Sequence, residues 1–167
     1  MKQSAKAVPA ESPTEQVAGF IAKFDSGVAK LIRDARAALR KRFPAAHELV
    51  YDNYNFFVIG FSATERSSDC LVSLSANARG VNLNFYYGAA LPDPCKMLRG
   101  SGNQNRFIRL ENAGTLAQPE VEGLLRAAAA QAKTPLGAGG QRRTIVRVVA
   151  PKQRPRRLPA GSSGPSS

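Results

Sequence analysis

Eight residues in the middle of the chain, Arg99-Gly100-Ser101-Gly102-Asn103-Gln104-Asn105-Arg106, combine glycines, amides and two arginines. Successive backbone N–H groups in such a turn can point into one concavity and hold a small anion, with Arg99 and Arg106 adding charge. The stretch lacks the Lys-Ser/Thr pair of a Walker loop and opens no helix, so it is not a P-loop. A tight turn into a strand uses the same residues, with glycine taking backbone angles that others avoid, and that is the commoner use of a glycine cluster.

A second set is spread over neighbouring strands. Asn82, Asn84 and Tyr86 alternate with Val81, Leu83, Phe85 and Tyr87. Together with Ser73, Ser75 and Arg109 they form a polar sheet face that offers hydrogen bonds to a ligand or protein partner, or simply to water. An RNA-binding sheet would turn aromatics outward for base stacking, whereas Phe85 and Tyr87 fall with the apolar set. The metal-ligand types are His47, Glu48, Asp52 and Cys95, with no second histidine, so the spacing specifies no transition-metal site. Lys96 and Arg99 would lower the pKa of Cys95, but no histidine-like base stands near it in the sequence. No catalytic set is specified, and no cofactor is implied.

Charge is unevenly placed. The net charge is +12, and all 12 acidic residues lie at or before Glu122. Through Lys133 there are 17 basic against 12 acidic residues. Beyond it stand Arg142, Arg143, Arg147, Lys152, Arg154, Arg156 and Arg157, with no acid. Such a tail reads as an arm for phosphates, or as a solubilising segment. No aromatics interleave these arginines, so binding by the tail should be non-specific and salt-sensitive.

These residues need a scaffold. Ser12-Pro13-Thr14-Glu15 has the form of a capping box, and Val17, Phe20, Ile21 and Phe24 follow at helical spacing. Asp25 reads as a fresh N-cap. The helix after it has Val28, Leu31, Ile32, Ala35, Ala38 and Leu39 on one face, and it ends before Pro44. Strands are expected at Glu48–Tyr51, Asn55–Phe61 (with Phe56 to Ile59 as a buried run), Cys70–Ala76, Val81–Tyr87 and Arg106–Leu110. Gly80 turns one hairpin. The 18-residue connection Gly88–Asn105 is long enough to need a helical turn of its own, placed at Cys95–Leu98. Glu120–Lys133 reads as a closing helix with Pro119 at its first position. The fold class is α+β: a two-layer sandwich, an antiparallel meander backed by N- and C-terminal helices. Residues 1–11 read as a disordered N-terminus, 12–133 as the domain, and 134–167 as a disordered, basic, Pro/Gly/Ser-rich tail. Thr144–Val149 is available as an edge or partner-induced strand.

Three stretches carry a family resemblance: Asp52-Asn53-Tyr54-Asn55-Phe56-Phe57, Phe85 through Pro94, and Leu98 through Arg109. Together they resemble the YdhG-like family, the domain of unknown function numbered 1801, over roughly Val17 to Lys133. The resemblance implies a small α+β sandwich of frataxin-like shape, and iron handling as the activity proposed for one branch. Against that activity, the second helix sets Lys30, Arg33, Arg36, Arg40, Lys41 and Arg42 against Asp34, and a cationic face repels Fe²⁺.

The leading expectation is a cytoplasmic, non-enzymatic binding or accessory domain. Its partner would be a protein or a small anionic ligand, held by the polar face and the Gly100–Arg106 loop. Non-specific nucleic-acid or polyanion association through the tail comes second, and metal handling third. No secretory signal or membrane span is read.

Overall fold

The computed structural model describes residues 11–137 and 142–159. The disorder expected of the first residues, and of the tail's last eight, falls outside them. The elements run α1 (Pro13–Ile21), α2 (Ser26–Arg42), β1 (His47–Asp52), β2 (Phe57–Ser62), β3 (Cys70–Asn77), β4 (Gly80–Phe85), β5 (Arg106–Leu110), α3 (Pro119–Ala130) and β6 (Thr144–Val149), with short 3-10 turns between some of them. The class is α+β.

β1 to β5 form the expected antiparallel meander. The sheet nevertheless has six strands, in the order β5-β4-β3-β2-β1-β6, and β6 pairs with β1 in parallel. The sheet is therefore mixed rather than purely antiparallel, and Thr144–Val149 takes the first of its two expected roles, an edge strand. The physical reason is the β-branched run Thr144-Ile145-Val146-Arg147-Val148-Val149, which suits a pleated ladder and meets the open edge of β1. A connection containing α3 carries the chain from β5 to the far edge, as a parallel partner requires.

The core follows from alternation. Phe57, Ile59, Phe61, Leu74, Leu83 and Phe85 are buried together with Val17, Ile21, Ile32, Leu39, Val121 and Leu125 of the helices. Phe57 holds α1 to the sheet, its ring centroid 5.9 Å from that of Phe20 and 6.1 Å from that of Phe24. The capping box at Ser12 and Glu15 is formed in both directions. Asp25 stands at the N-cap of α2, but its side chain caps nothing. Gly80 takes φ +145°, and a Cβ there would collide with the guanidinium of Arg109.

Other boundaries moved. β4 ends at Phe85, so Tyr87 is not in the apolar row; Tyr86 and Tyr87 are each 36% exposed. Phe56 precedes β2 and is 39% exposed, rather than opening a buried run. The connection after β4 carries its helical turn at Gly88–Ala90 instead of Cys95–Leu98. Asp93 organises the later part, its carboxylate accepting from the backbone N–H groups of Met97 and Leu98, both at 2.9 Å.

Two fully buried carboxylates on the helix-facing side of β1 clamp the C-terminal segment. Glu48 accepts from Arg36 Nε at 2.7 Å, Arg36 Nη2 at 2.8 Å and Thr144 Oγ1 at 2.8 Å. Asp52 accepts from Lys23 Nζ at 2.8 Å and from Arg156 Nη2 at 2.9 Å. Gln153 Nε2 donates to the Asp52 carbonyl at 3.0 Å. A buried carboxylate is costly unless paired in this way, so each anion fixes its cations in place.

Glu48 makes acid stability testable. Burial opposes its ionisation, but the hydrogen bonds and charge of Arg36, with Thr144 and Arg40, outweigh that and hold the carboxyl below its usual range. The stabilisation is therefore complete above the ordinary value of 4.5 and is lost as pH falls through the depressed folded value. The urea midpoint should fall on acidification below that value, and Glu48→Gln should start lower at neutral pH and fall less. Equal slopes for the two proteins would contradict the role given to Glu48.

Candidate functional site

The glycine-rich loop closes on itself. The N–H groups of Arg99 and Phe107 each donate to the other's carbonyl at 2.9 Å, so the loop's base is a two-residue ladder along β5. Gly100 takes φ +113°, which suits glycine. The Arg106 guanidinium donates to the carbonyls of Gly102 and Asn105. It is thus spent on the loop, while Ser101, Asn103 and Gln104 are exposed at the tip.

The polar face is partly self-satisfied. Asn84 Nδ2 donates to Ser75 Oγ at 2.9 Å and Ser73 Oγ at 3.2 Å, across the β3–β4 ladder. Arg109 lies opposite Asn82 and donates to the Arg79 carbonyl. Tyr86 stacks edge-on against Tyr87. Desolvation, then Cys70, Tyr87 and Tyr51, push the Tyr86 hydroxyl above its ordinary value.

The metal-ligand types do not converge. His47 Nδ1 accepts from the Arg143 backbone at 3.2 Å, and Glu48 and Asp52 are ion-paired. Cys70 is buried, its thiol pushed up to about 11 by burial, whereas Cys95 is exposed. Among the described residues, no three His, Cys, Asp or Glu side chains gather as a metal site. Nor is any described helix long and apolar enough to cross a membrane.

The tail arginines, adjacent in sequence, separate in space. Arg143 Nη1 lies 2.7 Å from Glu65 Oε1, and Arg147 donates to the Glu65 carbonyl. Arg142 Nη1 donates to the Arg40 carbonyl at 3.4 Å. Arg156 is 5% exposed and lies on Asp52, so it cannot meet a phosphate in the folded chain. That removes it from the expected set. Lys152, Arg154 and Arg157 remain exposed.

Arg154 and Arg157 belong to a site that sequence order concealed. Parallel pairing puts the chain leaving β6 at the same end of the sheet as the β1–β2 and β3–β4 turns. There the three segments enclose a cleft of about 400 Å³. The β1–β2 turn contributes Asn55 and Phe56, and the β3–β4 turn contributes Asn77, Ala78 and Arg79. The tail contributes Arg154, Pro155, Arg157, Leu158 and Pro159. Among the described residues, no acidic side chain lines it.

Its geometry is fixed from below. Buried Arg156 anchors the segment, the Arg154 N–H donates to the Tyr54 carbonyl at 2.8 Å, and Arg157 donates to the carbonyls of Lys23 and Ala22. The Arg154 guanidinium lies 5.7 Å from the centre of the Tyr54 ring, which is 51% exposed. Exposed rings beside unneutralised guanidinium groups can hold anionic and planar groups together. Sequence reasoning looked for aromatics within the tail, but they stand about a hundred positions earlier. The usable signal was Tyr54-Asn55-Phe56 in a polar turn.

Comparison with protein-family models, with curated proteins and with solved structures finds no match.

Proposed function

We propose that the chain is a non-enzymatic binding module, of the YdhG-like kind and frataxin-like sandwich shape, that takes a phosphate-bearing polyanion in the cleft at the C-terminal end of β1. The observation that carries this reading is the cleft's lining: Arg79, Arg154 and Arg157 converge there with no acid among them. Several other cations are engaged by acids, on Glu48, Asp52, Glu65 and Glu122, whereas Arg79, Arg154 and Arg157 have no acid beside them in the cleft. The reading narrows the polyanion role expected of the whole tail to one end of it. It also moves recognition away from the Gly100–Arg106 loop, whose Arg106 is turned onto the loop's own carbonyls, and from the Asn82–Asn84 face, where Asn84 is held by Ser73 and Ser75.

The test is binding of a labelled oligonucleotide across a salt series. Three arginines on a flexible polyanion give log K against log salt a slope of about −2, with Kd on the order of 10–100 µM at physiological salt. Arg79→Ala with Arg154→Ala should bring the slope to about −1 and weaken binding at every sequence tried. An unchanged slope in the double variant would exclude the cleft. Absence of binding even at low salt would exclude the reading.

A further inference from the structure

We infer that the cleft selects single-stranded nucleic acid over duplexes and over chains that carry phosphate alone. This rests on the polyanion reading above and adds to it what the aromatics do. Phosphate needs only Arg79, Arg154 and Arg157, and nothing in phosphate binding calls for exposed rings. Phe56 and Leu158, each 39% exposed, are nevertheless in the wall of the cleft, and Tyr54, 51% exposed, lies outside the wall but under the guanidinium of Arg154, which lines it. Large apolar side chains left in water beside arginines have the chemistry of a base-stacking platform.

The arrangement fits a splayed strand. Arg154 lies over the Tyr54 ring at 5.7 Å. A base stacking on that ring, or on the guanidinium plane, would continue the pile. The Asn77 side chain already accepts from the Arg79 N–H at 2.9 Å, leaving its amide N–H groups to donate. Asn55 brings a second amide to the wall, so base edges have hydrogen-bond partners within reach of the stacking surface. A duplex hides its base faces inside its own stack and offers this cleft phosphates alone. Inorganic polyphosphate has no base faces at all. Discrimination should therefore reside in Tyr54 and Phe56, and affinity common to all polyanions in the arginines.

The experiment compares three labelled or competing probes with the full chain: a single strand of about 10 nucleotides, the same sequence as a duplex, and inorganic polyphosphate. The single strand should bind about tenfold or more tighter than either of the others. Tyr54→Ala with Phe56→Ala should remove that margin, bringing the single strand to within about twofold of the duplex and polyphosphate measured on the same variant, while Tyr54→Phe keeps it. Both side chains are substantially exposed, and an unchanged circular dichroism spectrum would show that the variants fold. Equal binding of all three probes, or a margin that survives loss of both rings, overturns the inference while leaving the polyanion reading in place. No binding of any probe overturns both.

Discussion

Asp52→Ala is expected to destabilise the chain by about 3–5 kcal/mol, the usual result of removing one partner from a buried ion pair. Asp52 is fully buried on the helix-facing side of β1, and the Arg156 side chain is 3% exposed against it. Among the described residues Arg156 Nε and Nη1 have no hydrogen-bond partner, and the guanidinium is held by the Asp52 carboxylate, the Asn53 carbonyl and the Phe24 ring 6.0 Å away. Without Asp52 the cation must either stay buried and uncompensated or pull the tail off the sheet end. Lys23 is 42% exposed, so Lys23→Ala should cost much less. Replacing the pair together, by Asp52→Leu with Arg156→Met, should restore much of the loss, because an apolar pair needs no compensation. Urea midpoints of the four proteins check this. An Asp52→Ala midpoint equal to that of the parent would show that the tail is not anchored there.

Ending the chain at Gly137 is expected to cost at least as much, about 3 kcal/mol or more, because it removes both clamps at once. Glu48 loses Thr144 and Asp52 loses Arg156. β1, an interior strand in the full sheet, becomes an edge with its backbone groups unpaired. An open edge strand templates aggregation, so the shortened chain should also elute as larger species in gel filtration. Tail deletion therefore cannot isolate the tail's electrostatics, since it disrupts the sheet as well. Point changes at Arg79 and Arg154 leave the strand in place. A shortened chain with the midpoint and elution volume of the full one would contradict the six-stranded sheet.

Much of the fold was legible where local pattern and burial agree. Strict alternation located β3 to β5 to within two residues, the Ser12–Glu15 box marked the start of α1, and Pro119 marked the start of α3. β6 was only available as a strand, because its partner lies nearly a hundred residues earlier and no local period reports a parallel pairing. Phe56 was misplaced for a related reason. An apolar run does not say which of its members the turn takes, and the strand begins at Phe57. The charge imbalance was visible as composition, but its division was not. Arg156 and Arg157 are neighbours in sequence, yet one is buried on Asp52 and the other lines the cleft. That division depends on Asp52, which sequence spacing presented only as a metal-ligand type.

The location of binding can be read residue by residue by following backbone amide shifts of the full, ¹⁵N-labelled chain during titration with a short single-stranded oligonucleotide. Shifts should concentrate at Tyr54–Phe56, at Asn77–Arg79 and at Arg154 to Leu158, and they should shrink as salt is added. The amides of Gly100–Arg106 and of the basic face of α2 should stay unmoved. Shifts confined to that loop or that helix, with the cleft silent, would contradict the site proposed here.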